Sequence, residues 1–92
     1  MLRAHLVVTN ALGLHARAAA QLVKLASTFR SRITVARSDS NASADAKSIL
    51  SVLALAATYG TELEIVVDGD DEDKALAAVE EIFANNFGEE PI

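Results

Sequence analysis

Two side chains that can bind phosphate stand close together in the stretch GLHARAAA, residues 13–20. His15 and Arg17 are separated by a single alanine and come at the start of an apolar segment. A helix that begins at Ala16 would leave backbone N–H groups without partners beside His15, and these groups and the helix dipole attract anions. Arg17 adds a guanidinium that can bind two oxygens of one phosphate. The pattern therefore predicts an anion site.

The imidazole of His15 has two possible roles. The positive end of a helix disfavours the charged imidazolium, so a ring nitrogen is available to attack a phosphorylated donor. The alternative is a histidine that only caps the helix, and the local sequence by itself favours this capping role.

Other groups that could bind ligands are better explained as structural. His5 alternates with Arg3 on a predicted strand and has no second ligand at a suitable spacing, so we interpret it as a surface residue and expect no metal site. The run DGDDED at 68–73 lacks the spaced acids of a calcium loop, and an acidic helix start explains it better.

Ser48, in DAKSILSVL, also allows two interpretations. It suits the cap or first turn of a helix, and a regulatory phosphate of charge about −2 would also be stabilised at that place. The nearby Ile49, Leu50 and Leu53 are either core residues or an exposed apolar patch for a partner.

Composition limits the classes of protein to consider. The chain has 92 residues and no cysteine, which predicts one domain over 1–92 with a flexible tail from about residue 88, and excludes disulfides and thiolate sites. With no signal sequence and no apolar run near the roughly 20 residues of a membrane helix, we expect a cytoplasmic protein without membrane insertion.

Charge is distributed unevenly along the chain. Residues 1–50 hold seven basic and two acidic side chains, whereas residues 51–92 hold one basic and eleven acidic side chains, giving −5 in total. The first half suits an anion or an acidic partner, and the acidic whole argues against nucleic acid as a partner.

Hydrophobic periodicity predicts the elements that must position these residues, in the order β-α-β-β-α-β-α. The predicted strands are residues 2–9, 31–37, 42–45 and 61–68, and the predicted helices are residues 16–29, 47–60 and 70–88. Gly60 is expected to close the second helix from its C′ position, and Gly88 to end the third. Three amphipathic helices laid on one face of a four-stranded sheet make an open-faced two-layer α/β (α+β) sandwich.

The stretches GLHARAAA at 13–20 and AKSILSVL at 46–53, together with the element order, resemble the HPr phosphocarrier family of the bacterial phosphotransferase system. For the fold, the resemblance implies an antiparallel sheet with strand order 1-4-2-3. For function, it implies that His15 accepts a phosphoryl group on Nδ1 from phosphorylated enzyme I, and passes it to a histidine of an enzyme IIA component. Arg17 matches the partner of that phosphate. A monomeric carrier with no cofactor and no turnover of its own is expected.

The resemblance also covers the second helix. Ser48 aligns with the serine that HPr kinase/phosphorylase modifies in many members, which makes that kinase a further expected partner. Docking residues for enzyme I and enzyme IIA are then expected on the first two helices, at Ala16, Ala20, Gln21, Lys24, Lys47, Ile49, Leu50 and Leu53.

One position departs from the family's commonest pattern. Ala18 stands where most sugar-transport members have proline after GLHAR, and HARAAA and FGEE at 87–90 look more like the nitrogen-related branch, whose relay regulates rather than transports. The alternative function is a regulatory HPr-like binding protein that acts through docking or Ser48 phosphorylation. A small anion or metal binder of the same fold class is a third possibility.

Overall fold

The computed structural model describes residues 1–89 of the chain, and its alternating apolar segments form one sheet. The strands are β1 (Leu2–Val7), β2 (Arg32–Arg37), β3 (Ser43–Asp45) and β4 (Glu62–Asp68). They pair antiparallel in the order β1-β4-β2-β3, which confirms the expected topology. Leu63, Ile65 and Val67 of the central β4 are fully buried, as the period of two requires.

Three helices form the second layer: α1 (Ala16–Ala26), α2 (Ile49–Ala54) and α3 (Glu72–Ala84), followed by a short left-handed turn at Asn86–Gly88. The expected sandwich is therefore confirmed. The buried stripe of α1 consists mainly of alanine, with Leu22 as its largest member, and α3 contributes Val79 and Phe83.

The second helix is much shorter than its sequence pattern predicts, and the role expected for Gly60 is wrong. α2 ends at Ala54, and Ala56, with φ 51°, occupies the left-handed position that we expected Gly60 to fill. The chain after Ala54 is a loop in which the apolar residues Leu55 and Ala57 are buried. Burial in the core, rather than helical periodicity, therefore explains the apolar pattern. Gly60 instead donates its N–H to the carbonyl of Val8 at 2.8 Å.

The ends of the other helices also shift. α1 stops at Ala26 rather than residue 29, and α3 stops at Ala84 rather than Gly88. The acidic start of α3 is confirmed, but Asp71 makes no side-chain cap to its own helix. Its carboxylate accepts bonds from the Ser31 hydroxyl at 2.5 Å and from the Arg30 and Ser31 N–H groups at 2.9 Å. These hydrogen bonds lower the pKa of Asp71 to about 2, and the bond from the Ser31 hydroxyl has the largest effect.

Within residues 1–89, no helix is long and apolar enough to cross a membrane. Of the tail expected from residue 88, Gly88 ends the left-handed turn and Glu89 contacts His15. Residues 90–92 of that expected tail lie outside the described part of the chain.

Candidate functional site

His15 immediately precedes α1. Its backbone is extended, with φ −71° and ψ 177°, and its carbonyl accepts the first helical bond from the Ala19 N–H at 2.8 Å. The imidazole makes no capping hydrogen bond, so the structure does not support a role limited to capping. The N–H groups of Ala16, Arg17 and Ala18 have no acceptor within the helix, because they belong to its first turn. They therefore provide the donors for the anion site that the sequence predicts.

The loop before His15 is fixed by buried backbone contacts. The side chain of Asn10 is buried and donates to the Gly13 carbonyl at 2.7 Å, and the Leu14 N–H donates to the Ala57 carbonyl at 2.9 Å. Gly13 has φ +67°, and a Cβ there would lie 2.5 Å from the Ala57 oxygen. Only glycine fits this contact without a backbone shift, and the contact determines where His15 enters α1.

Nε2 of the His15 ring is hydrogen-bonded to the carboxylate of Glu89. Nε2 lies 2.5 Å from Oε2 of Glu89, and the His15 and Glu89 side chains are 25% and 9% exposed. This hydrogen bond lowers the pKa of Glu89, whereas desolvation raises it. The hydrogen bond from Asn10 and the charge of Arg17 also lower the pKa. Glu89 is therefore negatively charged at neutral pH.

Arg17 is exposed in the first turn of α1, two residues after His15. Its positive charge contributes to lowering the pKa of Glu89, the carboxylate that is hydrogen-bonded to His15. Ala18, the next residue, is fully buried and packs into the core rather than facing the site. The structure thus brings His15 and Arg17 together at one helix end.

Ser48 is the N-cap of α2, as the sequence predicts. Its hydroxyl accepts a hydrogen bond from the Ser51 N–H at 3.4 Å, and its carbonyl accepts one from Val52. Beside it, Ile49, Leu50 and Leu53 are 39%, 78% and 36% exposed. The alternative that these three residues belong to the core is therefore wrong, and we call them the α2 apolar patch.

The remaining expected docking residues lie on α1 and before α2. Ala16, Ala20 and Lys24 are exposed and Gln21 is partly buried, and α1 packs against α2, so both groups belong to one layer. The Lys47 ammonium donates to the Phe29 carbonyl at 2.8 Å, which ties it to the loop after α1.

His5 and the acidic run at 68–73 have structural surroundings, as the sequence predicts. His5 is exposed on β1, with Nε2 3.6 Å from Oε1 of Glu62. Within residues 1–89, no cluster of three or more His, Cys, Asp or Glu side chains is arranged to hold a metal ion.

Sequence reasoning missed two residues of the site, Asn10 and Glu89. Asn10 lies in a turn sequence, where asparagine is common for reasons unrelated to a site. Glu89 follows Gly88, a signal for a turn, but no local pattern pairs it with a histidine 74 positions earlier. Only the folded chain brings the two together.

Comparisons with known proteins agree with this fold and show the family. Residues 2–85 match a family model described as "PTS HPr component phosphorylation site". The chain is 47% identical over 90 residues to the phosphocarrier protein HPr of Xylella fastidiosa (strain 9a5c), covering 98% of this chain and 99% of that protein. It is 49% identical over 83 residues to the phosphocarrier protein HPr of Treponema pallidum (strain Nichols), covering 90% and 92%. The crystal structure of HPr-C-His from Thermoanaerobacter tengcongensis superposes with a TM-score of 0.91 at 36% identity, covering 98% of this chain and 99% of that one.

Proposed function

Because this chain belongs to the HPr phosphocarrier family of the phosphotransferase system, we propose that it carries a phosphoryl group on His15. The observation that supports this role is the position of His15 directly before α1, where its ring does not cap the helix. A phosphoryl group on the ring would meet the free N–H groups of the first turn and the positive end of the helix dipole.

The proposed reaction is a reversible transfer between nitrogen atoms. A ring nitrogen of His15 attacks the phosphorus of a phosphorylated donor, the bond between phosphorus and the donor nitrogen breaks, and its electron pair returns to the donor. Arg17 and the α1 amides neutralise the charge on the phosphoryl oxygens. Because similar bonds form and break, positioning and charge neutralisation are enough, and the chain needs no turnover of its own.

We propose phosphorylated enzyme I as the donor and a histidine of an enzyme IIA component as the acceptor, in the cytoplasm. Family membership implies partners within the phosphotransferase system. The α2 apolar patch supports docking, since it exposes three large aliphatic side chains on the helix that packs beside α1. Exposed Ala16, Ala20 and Lys24, with Gln21, extend the same layer.

A phosphate on Ser48 is proposed as a regulatory signal. Its hydroxyl already accepts the Ser51 N–H at 3.4 Å, so a phosphate there would add charge beside the α2 apolar patch. That charge would disfavour burial of Leu50 in a docked complex. Incubation with HPr kinase and ATP, followed by mapping, is expected to place the phosphate on Ser48; modification elsewhere, or none, would contradict this role.

The second candidate is a regulatory rather than a sugar-transport output, and Ala18 favours it through the resemblance described above. Transfer from the phosphorylated chain to a soluble enzyme IIA, without transfer to membrane-bound sugar permease components, is the result expected of a regulatory relay. Efficient transfer to a sugar permease would argue against it.

The test of the carrier role uses the two histidines of the chain as a matched pair. With enzyme I and labelled phosphoenolpyruvate, the wild-type chain is expected to gain one acid-labile phosphate. His15→Ala abolishes the label, because the nucleophile is gone, whereas His5→Ala keeps it, because His5 is an exposed residue of β1. Label that persists in His15→Ala would refute the proposal.

A further inference from the structure

The carboxylate of Glu89 is hydrogen-bonded to Nε2 of the His15 ring, and within residues 1–89 no hydrogen bond to Nδ1 is found. Oε2 lies 2.5 Å from Nε2, and Nδ2 of Asn10 lies 3.3 Å from each carboxylate oxygen. The Glu89 side chain is only 9% exposed, so the contact is largely withdrawn from water. A carboxylate so enclosed acts more strongly on the ring than one on the open surface.

The backbone at residues 86–88, just before Glu89, has an unusual conformation. Asn86, Phe87 and Gly88 are three consecutive left-handed residues, with φ of 53°, 55° and 77°. Such a conformation is unfavourable for a side chain as large as phenylalanine, and it persists only where tertiary contacts enforce it. Phe87 is buried and packs edge-on against Phe83 with ring centroids 4.9 Å apart. The Glu89 N–H then closes the turn on the Asn86 carbonyl at 3.0 Å.

We propose that Glu89 is a positioning residue for phosphoryl transfer, which holds the proton of neutral His15 on Nε2 and so leaves the lone pair on Nδ1. This inference rests on the carrier role proposed above. A carboxylate accepts hydrogen bonds and a neutral imidazole has one N–H, so the N–H faces Glu89. The structure itself thereby selects the nitrogen that reacts.

The same carboxylate also serves the charged state of the ring. When the Nδ1 lone pair forms its bond to phosphorus and the donor bond breaks, the ring keeps its Nε2–H and becomes a positively charged phosphoimidazolium. That charge develops against the negative carboxylate of Glu89, as it does against the aspartate of a Ser-His-Asp triad. Transfer to the acceptor reverses each change, so one hydrogen bond assists both directions.

The experiment compares Glu89→Ala, the isosteric Glu89→Gln and the control Glu80→Ala, in which an exposed glutamate of α3 is removed. Imidazole ¹⁵N chemical shifts of the unphosphorylated full chain report which nitrogen carries the proton. The wild type and the control are expected to show His15 as the Nε2–H form. Glu89→Ala is expected to lose this preference, and Glu89→Gln to keep part of it through its amide oxygen.

Transfer kinetics with enzyme I and phosphoenolpyruvate provide the second measurement. Glu89→Ala is expected to slow phosphorylation of His15 about 10-fold or more, as loss of a carboxylate partner does for other functional histidines. Glu89→Gln is expected to fall between Glu89→Ala and the wild type, and Glu80→Ala to match the wild type. An unchanged rate in Glu89→Ala overturns the proposal, and so does a faster rate, which would mean that the carboxylate repels the incoming phosphate. With either result for Glu89→Ala, phosphorylation of His15 in the wild type leaves the carrier role intact. If the wild type is not phosphorylated on His15, both the carrier role and the positioning role of Glu89 are refuted.

Discussion

Gly13 offers a quantitative test of how the loop before His15 is built. An alanine at φ +67° pays about 1–2 kcal/mol for the left-handed conformation. Its Cβ would also lie 2.5 Å from the Ala57 oxygen and 2.7 Å from the Thr58 Cα, and both are backbone atoms that cannot rotate away. Relieving such an overlap typically costs a further 1–3 kcal/mol or so. We therefore expect Gly13→Ala to lower the free energy of unfolding by about 3 kcal/mol.

Gly60 is the matched control, because it has φ +87° and no atom of residues 1–89 lies within 4 Å of the place that a Cβ would occupy. Gly60→Ala should cost only the conformational part, about 1 kcal/mol, offset slightly by reduced freedom in the unfolded chain. The expected difference between the two variants is thus about 2 kcal/mol. It is large against the roughly 5–14 kcal/mol that a 92-residue domain has in total.

Urea denaturation followed by circular dichroism measures both variants, and thermal melting should show a loss of roughly 12–24 °C for Gly13→Ala. The displaced contact includes the Leu14–Ala57 hydrogen bond, so phosphorylation of the adjacent His15 should slow as well. If the two alanine variants lose the same stability to within about 0.5 kcal/mol, the contact with Ala57 does not constrain the loop, and the reasoning fails.

Three further results are expected. Leu22→Ala should destabilise the fold by about 2–5 kcal/mol in urea denaturation, because Leu22 is fully buried and leaves a cavity; a loss below about 1 kcal/mol would contradict its core position. Asp71→Asn should have a lower free energy of unfolding than the wild type above pH 4, and this difference should disappear as pH falls. The reason is that the pKa of Asp71 is 3.8 in the unfolded chain and about 2 in the folded chain, so the stability that the ionised carboxylate contributes is lost between those pH values. A stability difference that does not change from pH 5 to pH 2 would refute this. Arg17→Ala should slow transfer to and from His15 without changing the melting temperature, since Arg17 is exposed and the helix amides remain; unchanged kinetics at both steps would exclude its role.

The strands and the start of α1 were predictable from sequence because their causes are local. In β4, the buried Leu63, Ile65 and Val67 alternate with less buried residues, most of them acidic, and this period of two shows which face is buried. At α1, Gly13 and the change of period after His15 mark the helix start to the residue. Patterns of this kind need no knowledge of distant residues.

The extent of α2 was not predictable in the same way. Residues 47–60 are apolar throughout most of their length, and an apolar run does not distinguish a helix from a buried loop. Whether Leu55 and Ala57 continue the helix depends on the loop before His15, whose Leu14 N–H donates to the Ala57 carbonyl. That partner is more than forty positions away in the chain.

By itself, the sequence determined that a histidine and an arginine flank the start of a helix, and this pattern predicts an anion site there. Only the tertiary structure decided that Nε2 of the His15 ring is hydrogen-bonded to a carboxylate, because that carboxylate belongs to Glu89, 74 residues later. The left-handed turn at 86–88 and the packing of Phe87 on Phe83 bring that carboxylate into place. Helix starts follow from short-range periodicity, whereas the pairing of two distant side chains follows from how the whole core packs.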